Sequence, residues 1–278
     1  MSVEPLLASA TARLTAAGVA SPRVDAEILL SHVTGVPRLA LVRSAKPNDI
    51  QYAAYKELIE RRASREPLQH LTGSAAFRYV DLDVGPGVFI PRPETELLAG
   101  WAIEKARTLD APIVVDLCTG SGAIALSLVD EVPGVRVHAV ELDERAFGWA
   151  HRNLAGTGVD LRQGDMADAF AELDGKVDIV VSNPPYIPLD AWESVEAEVR
   201  DHDPSLALWS GDDGLDAMRI VESTAYRLLK SGGVVAAEHA DAQGESAPAT
   251  FAVKGRWTQI RDNADYADRP RFVTATRA

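Results

Sequence analysis

The stretch Val177-Asp178-Ile179-Val180-Val181-Ser182-Asn183-Pro184-Pro185-Tyr186 is the most informative part of this sequence. Its first six residues form a short apolar run, which is typical of a buried β-strand. Neither proline can donate a backbone hydrogen bond, so the strand must end before them and a stiff elbow must follow. Because ligands of open α/β sheets bind at the carboxyl ends of the strands, we predict that the elbow Asn183–Tyr186 lines a ligand site.

The elbow carries polar and aromatic groups that suit a planar substrate with an NH2 group. The side-chain oxygen of Asn183 and the backbone carbonyl of Pro184 can each accept a hydrogen bond from this NH2 group. The ring of Tyr186 provides a face for stacking. The alternative is a strand followed by an ordinary proline-rich turn, with Tyr186 half-buried and without a ligand. The elbow by itself leaves open whether a nucleobase or a protein amide carries the amino group.

Strand and helix signals alternate from residue 112 onwards. The predicted strands are Ile113–Leu117, Val135–Val140, Leu161–Gln163, Val177–Ser182, Gly233–Glu238 and Phe272–Thr276. The predicted helices between them are Ala123–Val129, Glu144–Leu154, Leu215–Leu229 and Gln243–Ala252. Such alternation predicts an α/β fold with a mainly parallel sheet covered by helices.

Residues 1–72 contain only helical signals. Apolar residues recur at intervals of three and four in the stretches Leu6–Leu14 and Tyr52–Ile59, and this periodicity predicts a small helical bundle. A basic cluster follows the second stretch and consists of Arg61, Arg62 and Arg65. We interpret this cluster as a solvated helix face, and the alternative is a docking surface for a macromolecular partner.

The segment between the helical and the alternating regions has strand signals of its own. Residues Phe77–Val84 alternate in polarity and predict a strand, and Gly85-Pro86-Gly87 predicts a turn before a second strand at Val88–Ile90. A helix is predicted at Leu97–Thr108. The resulting division is a helical bundle at residues 1–73, a linking β-hairpin at 74–91 and an α/β domain at 92–278.

Composition and charge exclude several classes of protein. The chain has 28 Lys and Arg residues against 41 Asp and Glu residues, a net charge of −13, which disfavours a partner with a phosphate backbone. Residues 1–75 carry nine basic and seven acidic residues, net +2, and residues 76–278 carry 19 and 34, net −15.

The single Cys118 excludes a disulfide framework and a Cys-rich zinc site, so we expect no metal. No apolar run approaches the ~20 residues that span a bilayer, and no secretory signal is recognisable, so we expect a cytoplasmic protein without membrane contact.

A second candidate site follows the first strand of the alternating region. The stretch Asp116-Leu117-Cys118-Thr119-Gly120-Ser121-Gly122 ends that strand and opens a helix, and its glycines permit tight turns and close approach of a ligand. Glu141 ends the next strand, 19 residues after Gly122. An acidic residue at this position typically accepts hydrogen bonds from both hydroxyls of a ribose. Ala125 replaces the third glycine of the dinucleotide pattern, which that pattern permits, so the motif alone does not exclude NAD. The elbow Asn183–Tyr186 favours a nucleoside-bearing methyl donor over NAD, because an enzyme that transfers hydride does not need such an elbow.

A third candidate lies after the short strand Leu161–Gln163. There Asp165 could accept a hydrogen bond from an adenine amino group, and Met166 could cover the ring. The alternative role for Asp165 is a helix cap, which is the more frequent role of an aspartate in a loop.

Taken in order, Asp116–Gly122, Glu141 and Asn183–Tyr186 resemble the motifs of class I S-adenosylmethionine-dependent methyltransferases that act on planar nitrogen. That group includes adenine-N6 DNA methyltransferases and protein glutamine-N5 methyltransferases. Further stretches narrow the resemblance, namely Glu66–Gly73, Pro86–Glu96, Ser182–Pro188 and Gly211–Leu215. They resemble bacterial peptide chain release factor glutamine methyltransferases. This resemblance covers the whole chain and implies a Rossmann-like class I methyltransferase sheet with a small N-terminal helical bundle and a linking β-hairpin.

The resemblance also implies a role for each candidate residue. S-adenosylmethionine would be held by Cys118, Thr119, Gly120, Ser121 and Gly122, by Glu141 at the ribose, and by Met166, beside Asp165, at the adenine. Asn183 would contact both cofactor and substrate, and the glutamine would be held by Asn183, Pro184, Pro185 and Tyr186, of which we take Asn183, Pro184 and Tyr186 as catalytic. Three positions depart from the family, which usually has Gly at Cys118, often has an aromatic residue at Met166, and more commonly has Asp at Glu141.

The implied reaction transfers a methyl group from S-adenosylmethionine to the side-chain nitrogen N5 of the glutamine in the Gly-Gly-Gln loop of class I release factors, leaving S-adenosylhomocysteine. We expect a monomer that contacts this protein substrate and no nucleic acid directly, with residues 1–73 used for docking. One alternative is an adenine-N6 nucleic-acid methyltransferase, which the net charge of residues 76–278 disfavours. Another is a non-catalytic adenosyl-binding or translation-factor-binding module, which would not need an intact elbow.

Overall fold

The computed structural model describes residues 3–43, 46–253 and 255–278. The chain forms two units. One consists of Met1–Ser74 together with Glu196–His202, and the other of Ala75–Val195 together with Asp203–Ala278. Every helix within the described ranges is too short or too polar to cross a lipid bilayer.

The first unit is built from short amphipathic helices, as its periodicity predicts. Its elements begin with α1 (Glu4–Ala16), α2 (Pro22–Thr34), a 3-10 helix (Arg38–Arg43), α3 (Asp49–Ala63) and α4 (Leu68–Thr72). Their apolar stripes meet in one core that includes the fully buried side chains of Leu7, Leu29 and Tyr55. The Tyr55 hydroxyl donates to the carbonyl oxygen of Ala26 at 3.0 Å, which satisfies the polar end of a buried ring.

The arginine cluster at the end of α3 forms ion pairs inside this unit, so its interpretation as a solvated helix face is wrong for Arg62. The Arg62 side chain is 6% exposed and donates to Asp25 at 2.8 Å and to Glu198 at 3.1 Å. Arg65 also pairs with Glu198, at 2.8 Å, whereas the Arg61 side chain remains 45% exposed. Because a buried guanidinium needs carboxylate partners, Arg62 ties α2 and α3 to the segment around Glu198.

The second unit alternates strands and helices, as predicted. Its elements, given in chain order and including one helix of the first unit (α8), are β1 (Ser74–Phe77), β2 (Val80–Asp83), α5 (Thr95–Ala106), β3 (Ile113–Leu117), α6 (Ala123–Glu131), β4 (Arg136–Glu141), α7 (Glu144–Asn153), β5 (Asp160–Gln163), β6 (Val177–Ser182), α8 (Ala197–His202), α9 (Asp216–Leu228), β7 (Leu229–Glu238), α10 (Ser246–Ala252), β8 (Trp257–Ala264) and β9 (Pro270–Arg277). Further 3-10 helices lie at Ala171–Leu173, Leu189–Ser194, Ser205–Ala207 and Asp241–Gln243.

Within the part of the chain that the structure describes, β3 to β9 form one seven-stranded sheet in the order β5-β4-β3-β6-β7-β9-β8. The strands β3 to β7 are parallel, and β9 runs antiparallel to both β7 and β8. The mainly parallel sheet is therefore confirmed. The chain leaves β3 towards β4 on one side and later returns to β6 on the other. The carboxyl edge beside such a reversal of strand order is the usual ligand position in open α/β sheets.

Side chains of the parallel strands alternate between two apolar layers. In β6, Ile179 and Val181 face the layer that contains α5, α6 and α7, whereas Val180 faces the layer that contains α9 and α10. All three side chains are completely buried. Burying one such side chain stabilises the fold by about 1.5–3 kcal/mol. Burial on both faces explains why β6 is mainly apolar in the sequence, with three consecutive apolar residues at Ile179–Val181.

The linking hairpin of β1 and β2 forms, but its turn lies at Arg78–Tyr79 and not at Gly85–Gly87. Arg78 adopts a left-handed φ of 51°. Its backbone N–H donates to the carboxylate of Glu96 at 3.0 Å, and its guanidinium pairs with Glu131 at 2.6 Å. These partners lie 18 and 53 residues away in the sequence, so the alternating pattern around Arg78 could not reveal the turn.

Two further differences concern strands at the margins of the prediction. Val88–Ile90, predicted as the second strand of the hairpin, lies outside the described strands, although Val88 and Ile90 are buried. Conversely, β8 has no counterpart among the predicted strands, because most of its side chains are polar and at least partly exposed. Polar residues are typical of edge strands, which expose unpaired backbone groups. The other predicted strands and helices are present, with ends that differ by a few residues.

Candidate active site

The candidate site residues meet at the carboxyl edge of the sheet. Leu117 at the end of β3 pairs with Ser182 at the end of β6, so Cys118 and Asn183 leave the sheet on neighbouring strands. On the other side of β3 lies β4, which ends at Glu141. The glycine-containing loop, the acidic residue and the elbow are thus brought together where the strand order reverses.

The loop Cys118–Gly122 takes its shape from left-handed backbone conformations and from Glu141. The φ angles of Cys118, Gly120 and Gly122 are 62°, 58° and 85°. The N–H of Gly120 donates to Glu141 Oε2 at 2.8 Å, and the N–H of Asp143 donates to Oε1 at 2.9 Å. Burial raises the pKa of Glu141, and these two hydrogen bonds act in the opposite direction. Each oxygen of this fixed carboxylate keeps a second lone pair for a ligand hydroxyl.

Asp116 lies beneath the loop and is completely buried. Its carboxylate accepts a hydrogen bond from Thr119 Oγ1 at 2.6 Å, and burial raises its pKa to about 7. Because the hydroxyl of Thr119 donates its proton to Asp116, it is not available as a hydrogen-bond donor to a ligand. Ser121 is 3% exposed, and its carbonyl oxygen accepts from the side-chain amide of Asn153 at 2.9 Å. Internal hydrogen bonds therefore hold the loop on both of its sides.

Cys118 and Met166 are in direct contact, with 3.4 Å between Sγ and Sδ. Burial raises the pKa of the Cys118 thiol well above its ordinary range, so the thiol stays protonated and is not a nucleophile. Asp165 accepts a hydrogen bond from the N–H of Ala167 at 2.8 Å within a turn, and no described helix begins there, so its alternative role as a helix cap is wrong. A contact between Asp165 and a ligand remains a prediction.

The elbow is held at both ends by polar contacts. Asn183 Nδ2 donates to Thr95 Oγ1 at 3.2 Å, and the Tyr186 hydroxyl donates to Glu238 Oε1 at 3.3 Å. Pro184, between these two residues, is buried. Thr95 is the first residue of α5 and Glu238 is the last residue of β7, and both are buried. Burial raises the pKa of Tyr186, so its phenol remains protonated and acts as a donor.

Glu238 is an ionisable residue with only 1% of its surface exposed. Burial raises its pKa to about 7, whereas hydrogen bonds from Thr95 and Tyr186 and the positive charge of Arg271 act to lower it. Among the residues that the structure describes, Oε2 of Glu238 has no hydrogen-bond partner. The carboxylate is therefore desolvated, and the Tyr186 hydroxyl lies within hydrogen-bond distance of its Oε1 atom.

The carbonyl oxygen of Tyr186 is held by a separate set of contacts. It accepts a hydrogen bond from Gln243 Nε2 at 3.1 Å, and the same nitrogen lies 3.3 Å from the carbonyl oxygens of Asp213 and Gly214. Gly214 has a φ of +73°, and a Cβ at this position would approach the Tyr186 carbonyl oxygen to under 3.0 Å. Only glycine fits there, so the stretch Gly211–Leu215 is needed to pack the elbow.

Comparisons with known proteins agree with the motifs. Residues 5–73 match the family described as PrmC N-terminal domain, and residues 94–196 match the family described as Methyltransferase small domain. The release factor glutamine methyltransferase of Streptomyces coelicolor is 57% identical over 274 residues, which cover 98% of this chain and 97% of that relative. The chain belongs to the release factor glutamine methyltransferase family. The enzyme of the same name from Mycolicibacterium smegmatis is 48% identical over 271 residues, covering 97% of this chain and 95% of the relative.

One relative has a different name. The 4-amino-L-phenylalanine/4-methylamino-L-phenylalanine methyltransferase of Streptomyces pristinaespiralis is 44% identical over 260 residues, covering 91% of this chain and 88% of the relative. As a member of the release factor glutamine methyltransferase family, the chain is an S-adenosylmethionine-dependent methyltransferase. The motif-based recognition of this family and of its methyl donor is therefore confirmed.

The residues present at the loop fit this methyl donor. A Cβ placed on Gly120 would meet no atom within 4 Å, so the loop leaves room beside its backbone. Glu141 provides a fixed carboxylate of the kind that accepts from two ribose hydroxyls. The departure of Cys118 from the usual glycine coincides with its left-handed φ of 62°, a conformation that glycine adopts without strain.

Three residues that contact the elbow are absent from the predicted site residues, namely Thr95, Glu238 and Gln243. Thr95 lies 88 positions from Asn183, and nothing in its own sequence neighbourhood reveals the contact. Glu238 did have a recognisable signal, because it is an acidic residue directly after the apolar run of β7, as Glu141 is after β4. Gln243 lies in a 3-10 helix where a helix start was predicted.

Proposed function

We propose that this chain methylates nitrogen N5 of the glutamine in the Gly-Gly-Gln motif of class I peptide chain release factors, with S-adenosylmethionine as donor and S-adenosylhomocysteine as product. The observation that carries this proposal is the hydrogen bond that Asn183 Nδ2 donates to Thr95. In the described part of the chain, the side-chain oxygen of Asn183 can therefore accept a hydrogen bond from a substrate. A carboxamide NH2 group can donate two hydrogen bonds, one to the side-chain oxygen of Asn183 and one to the backbone carbonyl of Pro184. The 57% identity to a release factor glutamine methyltransferase supports the same acceptor.

Asn183, Pro184 and Tyr186 would act by orienting and polarising the acceptor amide. A carboxamide nitrogen is a poor nucleophile because its lone pair is delocalised into the carbonyl group. When both N–H groups of the acceptor donate hydrogen bonds, one to the side-chain oxygen of Asn183 and one to the carbonyl of Pro184, electron density shifts towards the nitrogen. The ring of Tyr186 stacks on the amide plane and directs the nitrogen at the methyl group. Such near-attack alignment of two held reactants can supply ~7–11 kcal/mol.

S-adenosylmethionine, when bound, supplies an electrophilic methyl group on a positively charged sulfur. In this proposal the residues that hold it are Cys118, Thr119, Gly120, Ser121 and Gly122 in the loop, Glu141 at the ribose, Asp165 and Met166 at the adenine, and Asn183 near the methyl group. The carbonyl dipoles of Asn183 and Pro184 stabilise the positive charge as it spreads towards the acceptor nitrogen. Pro185 keeps the elbow rigid, and the proton that the acceptor loses passes to water.

Residues 1–73 would dock the protein substrate, with residues 74–91 as the hairpin linker and residues 92–278 as the methyltransferase domain. Leu39, Val42 and Ile50 of the first unit are 96%, 64% and 83% exposed. A contiguous patch of exposed aliphatic side chains is a typical feature of protein-binding surfaces. We expect a monomer that binds the release factor and does not contact nucleic acid directly, because residues 76–278 carry a net charge of −15 (19 basic, 34 acidic).

A second candidate acceptor is the aryl amine of a free amino acid. It is favoured by the 44% identity to the 4-amino-L-phenylalanine/4-methylamino-L-phenylalanine methyltransferase of Streptomyces pristinaespiralis. An aryl amine is also a planar NH2 group, so the elbow alone does not separate the two acceptors. The match of residues 5–73 to the PrmC N-terminal domain favours the release factor, because a small free amino acid has no need of a separate docking unit.

The deciding experiment measures tritium transfer from methyl-labelled S-adenosylmethionine to four acceptors in parallel. They are a purified class I release factor, the same factor with its motif changed to Gly-Gly-Ala, duplex DNA and 4-amino-L-phenylalanine. The proposal expects label in the first acceptor alone. Label in the Gly-Gly-Ala factor, or in either of the other two acceptors without the first, would contradict it. Gel filtration of the purified chain at micromolar concentration tests the expected monomer.

A further inference from the structure

Gln243 contacts the elbow but has no part in the mechanism described above. Its side chain is buried, with 6% of the residue exposed, so its amide needs hydrogen-bond partners inside the protein. The side-chain oxygen accepts from the N–H of Ala240 at 3.0 Å, and Nε2 donates to the carbonyl oxygen of Tyr186 at 3.1 Å. The same nitrogen lies 3.3 Å from the carbonyl oxygens of Asp213 and Gly214. One side chain thereby joins the elbow, the loop before α9 and the segment after β7.

The neighbours of Gln243 permit only one orientation of its side-chain amide. A backbone N–H group can only donate a hydrogen bond, and a carbonyl oxygen can only accept one. The N–H of Ala240 must therefore face the oxygen of the amide, and the three carbonyl oxygens must face its NH2 group. The flipped amide would bring an NH2 group against an N–H group and an oxygen against three oxygens. The NH2 group of Gln243 is thus held towards Tyr186.

The hydrogen bond from Gln243 fixes one edge of the peptide group that joins Tyr186 to Ile187. The opposite edge is fixed by the N–H of Ile187, which donates to the carbonyl oxygen of Leu208 at 2.8 Å. A peptide group is planar, so two hydrogen bonds on opposite edges fix its orientation. On the other side of Tyr186, the ring of Pro185 restricts its own φ angle. The backbone that carries the Tyr186 ring is therefore held both before and after this residue.

We propose that Gln243 is a positioning residue for methyl transfer, which holds the backbone of Tyr186 so that its ring stacks on the acceptor amide. This inference rests on the proposed function, since it assigns the Tyr186 ring to the acceptor. In this proposal Gln243 touches neither the acceptor nor the methyl donor and acts through the Tyr186 carbonyl. Without its NH2 group, the peptide after Tyr186 loses one of its two restraints, and three carbonyl oxygens lose their shared donor.

The proposal is tested by changing the donor while keeping the acceptor. Gln243→Glu keeps an oxygen for the N–H of Ala240 but, when ionised, has no proton for the three carbonyl oxygens. When protonated, the introduced carboxyl group has one O–H group and can donate again. Gln243→Leu is similar in size and lacks both functions at every pH. Gln259→Glu is the matched control for the added charge, because Gln259 is exposed on β8.

We expect Gln243→Glu to lower kcat with the release factor by about 10²-fold at pH 8, the loss that a small misplacement of a reacting group can cause. The effect on KM should be smaller, and the Kd for S-adenosylmethionine should be unchanged. Burial and neighbouring carbonyl oxygens favour the protonated form of a carboxyl group, so the ratio of variant to wild-type kcat should rise about tenfold from pH 8 to pH 6. Glu238, whose pKa burial raises to about 7, titrates in both proteins, and the ratio removes this shared effect.

The two other variants separate positioning from folding and from charge. Gln243→Leu is expected to have a low kcat at both pH values, and Gln259→Glu a wild-type kcat at both. Each kcat is measured well below the thermal midpoint of the variant, so that loss of folded protein does not contribute. A wild-type kcat in Gln243→Leu, or a ratio for Gln243→Glu that does not rise on acidification, would overturn the proposal.

A second measurement does not need the acceptor. The backbone N–H of Ile187 is expected to exchange slowly with deuterium in wild type and faster in Gln243→Leu, because the peptide after Tyr186 is then less restrained. Equal exchange in the two proteins would overturn the positioning role even if the release factor is methylated. Faster exchange in Gln243→Leu, with a wild-type protein that does not methylate the release factor, would support the hold on Tyr186 and refute the proposed acceptor.

Discussion

Gly214 packs against the carbonyl oxygen of Tyr186 so closely that a Cβ at position 214 would approach this oxygen to under 3.0 Å. We expect Gly214→Ala to displace the elbow and to lower kcat as well as stability. Gly232→Ala is the matched control, because Gly232 has a similar φ of +79° but open space around it. Gly232→Ala should lose about 1–2 kcal/mol of unfolding free energy from backbone strain, measured by urea denaturation, and Gly214→Ala should lose more because of the added clash. Only Gly214→Ala should lose turnover, and equal kcat values would contradict the packing argument.

Asn183→Ala is expected to abolish turnover while leaving the affinity for S-adenosylmethionine nearly unchanged. The substitution removes an acceptor for the substrate NH2, whereas Glu141 and the backbone of Cys118–Gly122 are untouched. Single-turnover methyl transfer and calorimetric titration with S-adenosylmethionine measure the two effects separately. A kcat near the wild-type value would show that hydrogen bonding by Asn183 is not part of the mechanism.

Cys118→Gly is expected to preserve activity. The residue has a φ of 62°, where a non-glycine residue is strained by roughly 1–2 kcal/mol, and its protonated thiol contacts Met166. Glycine removes the strain, and Cys118→Val serves as the opposite control because a β-branched residue is least suited to this conformation. Methyl transfer and thermal midpoints are the measurements. A large loss of activity in Cys118→Gly would reveal a role for the thiol.

Glu238→Gln is expected to flatten the dependence of stability on pH. Burial raises the pKa of Glu238 from an ordinary 4.5 to about 7, so the folded chain binds this proton more tightly than the unfolded chain. The resulting stabilisation is complete below pH 4.5 and is lost as pH rises through about 7. The glutamine variant lacks this loss, so its stability relative to wild type should increase between pH 5 and pH 8.

Urea unfolding at several pH values measures the effect of Glu238→Gln. Glu104→Gln is the control for removing one negative charge, because Glu104 is exposed on α5. Parallel curves for wild type and Glu238→Gln across this range would contradict the assignment of a tightly held proton to Glu238.

Arg62→Ala is expected to destabilise the first unit by about 3–5 kcal/mol, because it leaves the carboxylate of Asp25 buried without its partner. Arg61→Ala, which breaks a pair with a 45% exposed arginine, should cost less than about 1 kcal/mol. Hydrogen exchange of the α2 and α3 amides reports on this unit alone. Similar exchange rates in the two variants would show that the pair of Arg62 and Asp25 is not the stabilising contact.

The parts of the fold that are visible in the sequence are those with local causes. The bounds of β3 and β6 are predicted without error, because strands buried on both faces are mainly apolar runs, here with one aspartate each, Asp116 and Asp178. The loop Cys118–Gly122 and the elbow could likewise be recognised, since glycine and proline act on their own backbone.

The parts that the sequence does not reveal depend on partners far along the chain. The turn at Arg78 is set by Glu96 and Glu131, and the burial of Arg62 depends on Asp25 and Glu198. An arginine that pairs with distant carboxylates has the same local pattern as one that points into water. The contacts of Thr95 and Glu238 with the elbow are hidden for the same reason, because their partners are fixed only when the sheet is assembled.

The hydrogen bond from Gly120 to Glu141 has a consequence for the entropy of binding. The chain's own carboxylate already orders the loop, and Thr119 and Ser121 are anchored below it. The conformational entropy of these backbone groups is therefore lost during folding and not when the methyl donor arrives. A preorganised loop of this kind binds with a smaller entropic penalty than a loop that must become ordered around its ligand. We therefore expect little change in the backbone of Cys118–Gly122 between the free and the cofactor-bound enzyme.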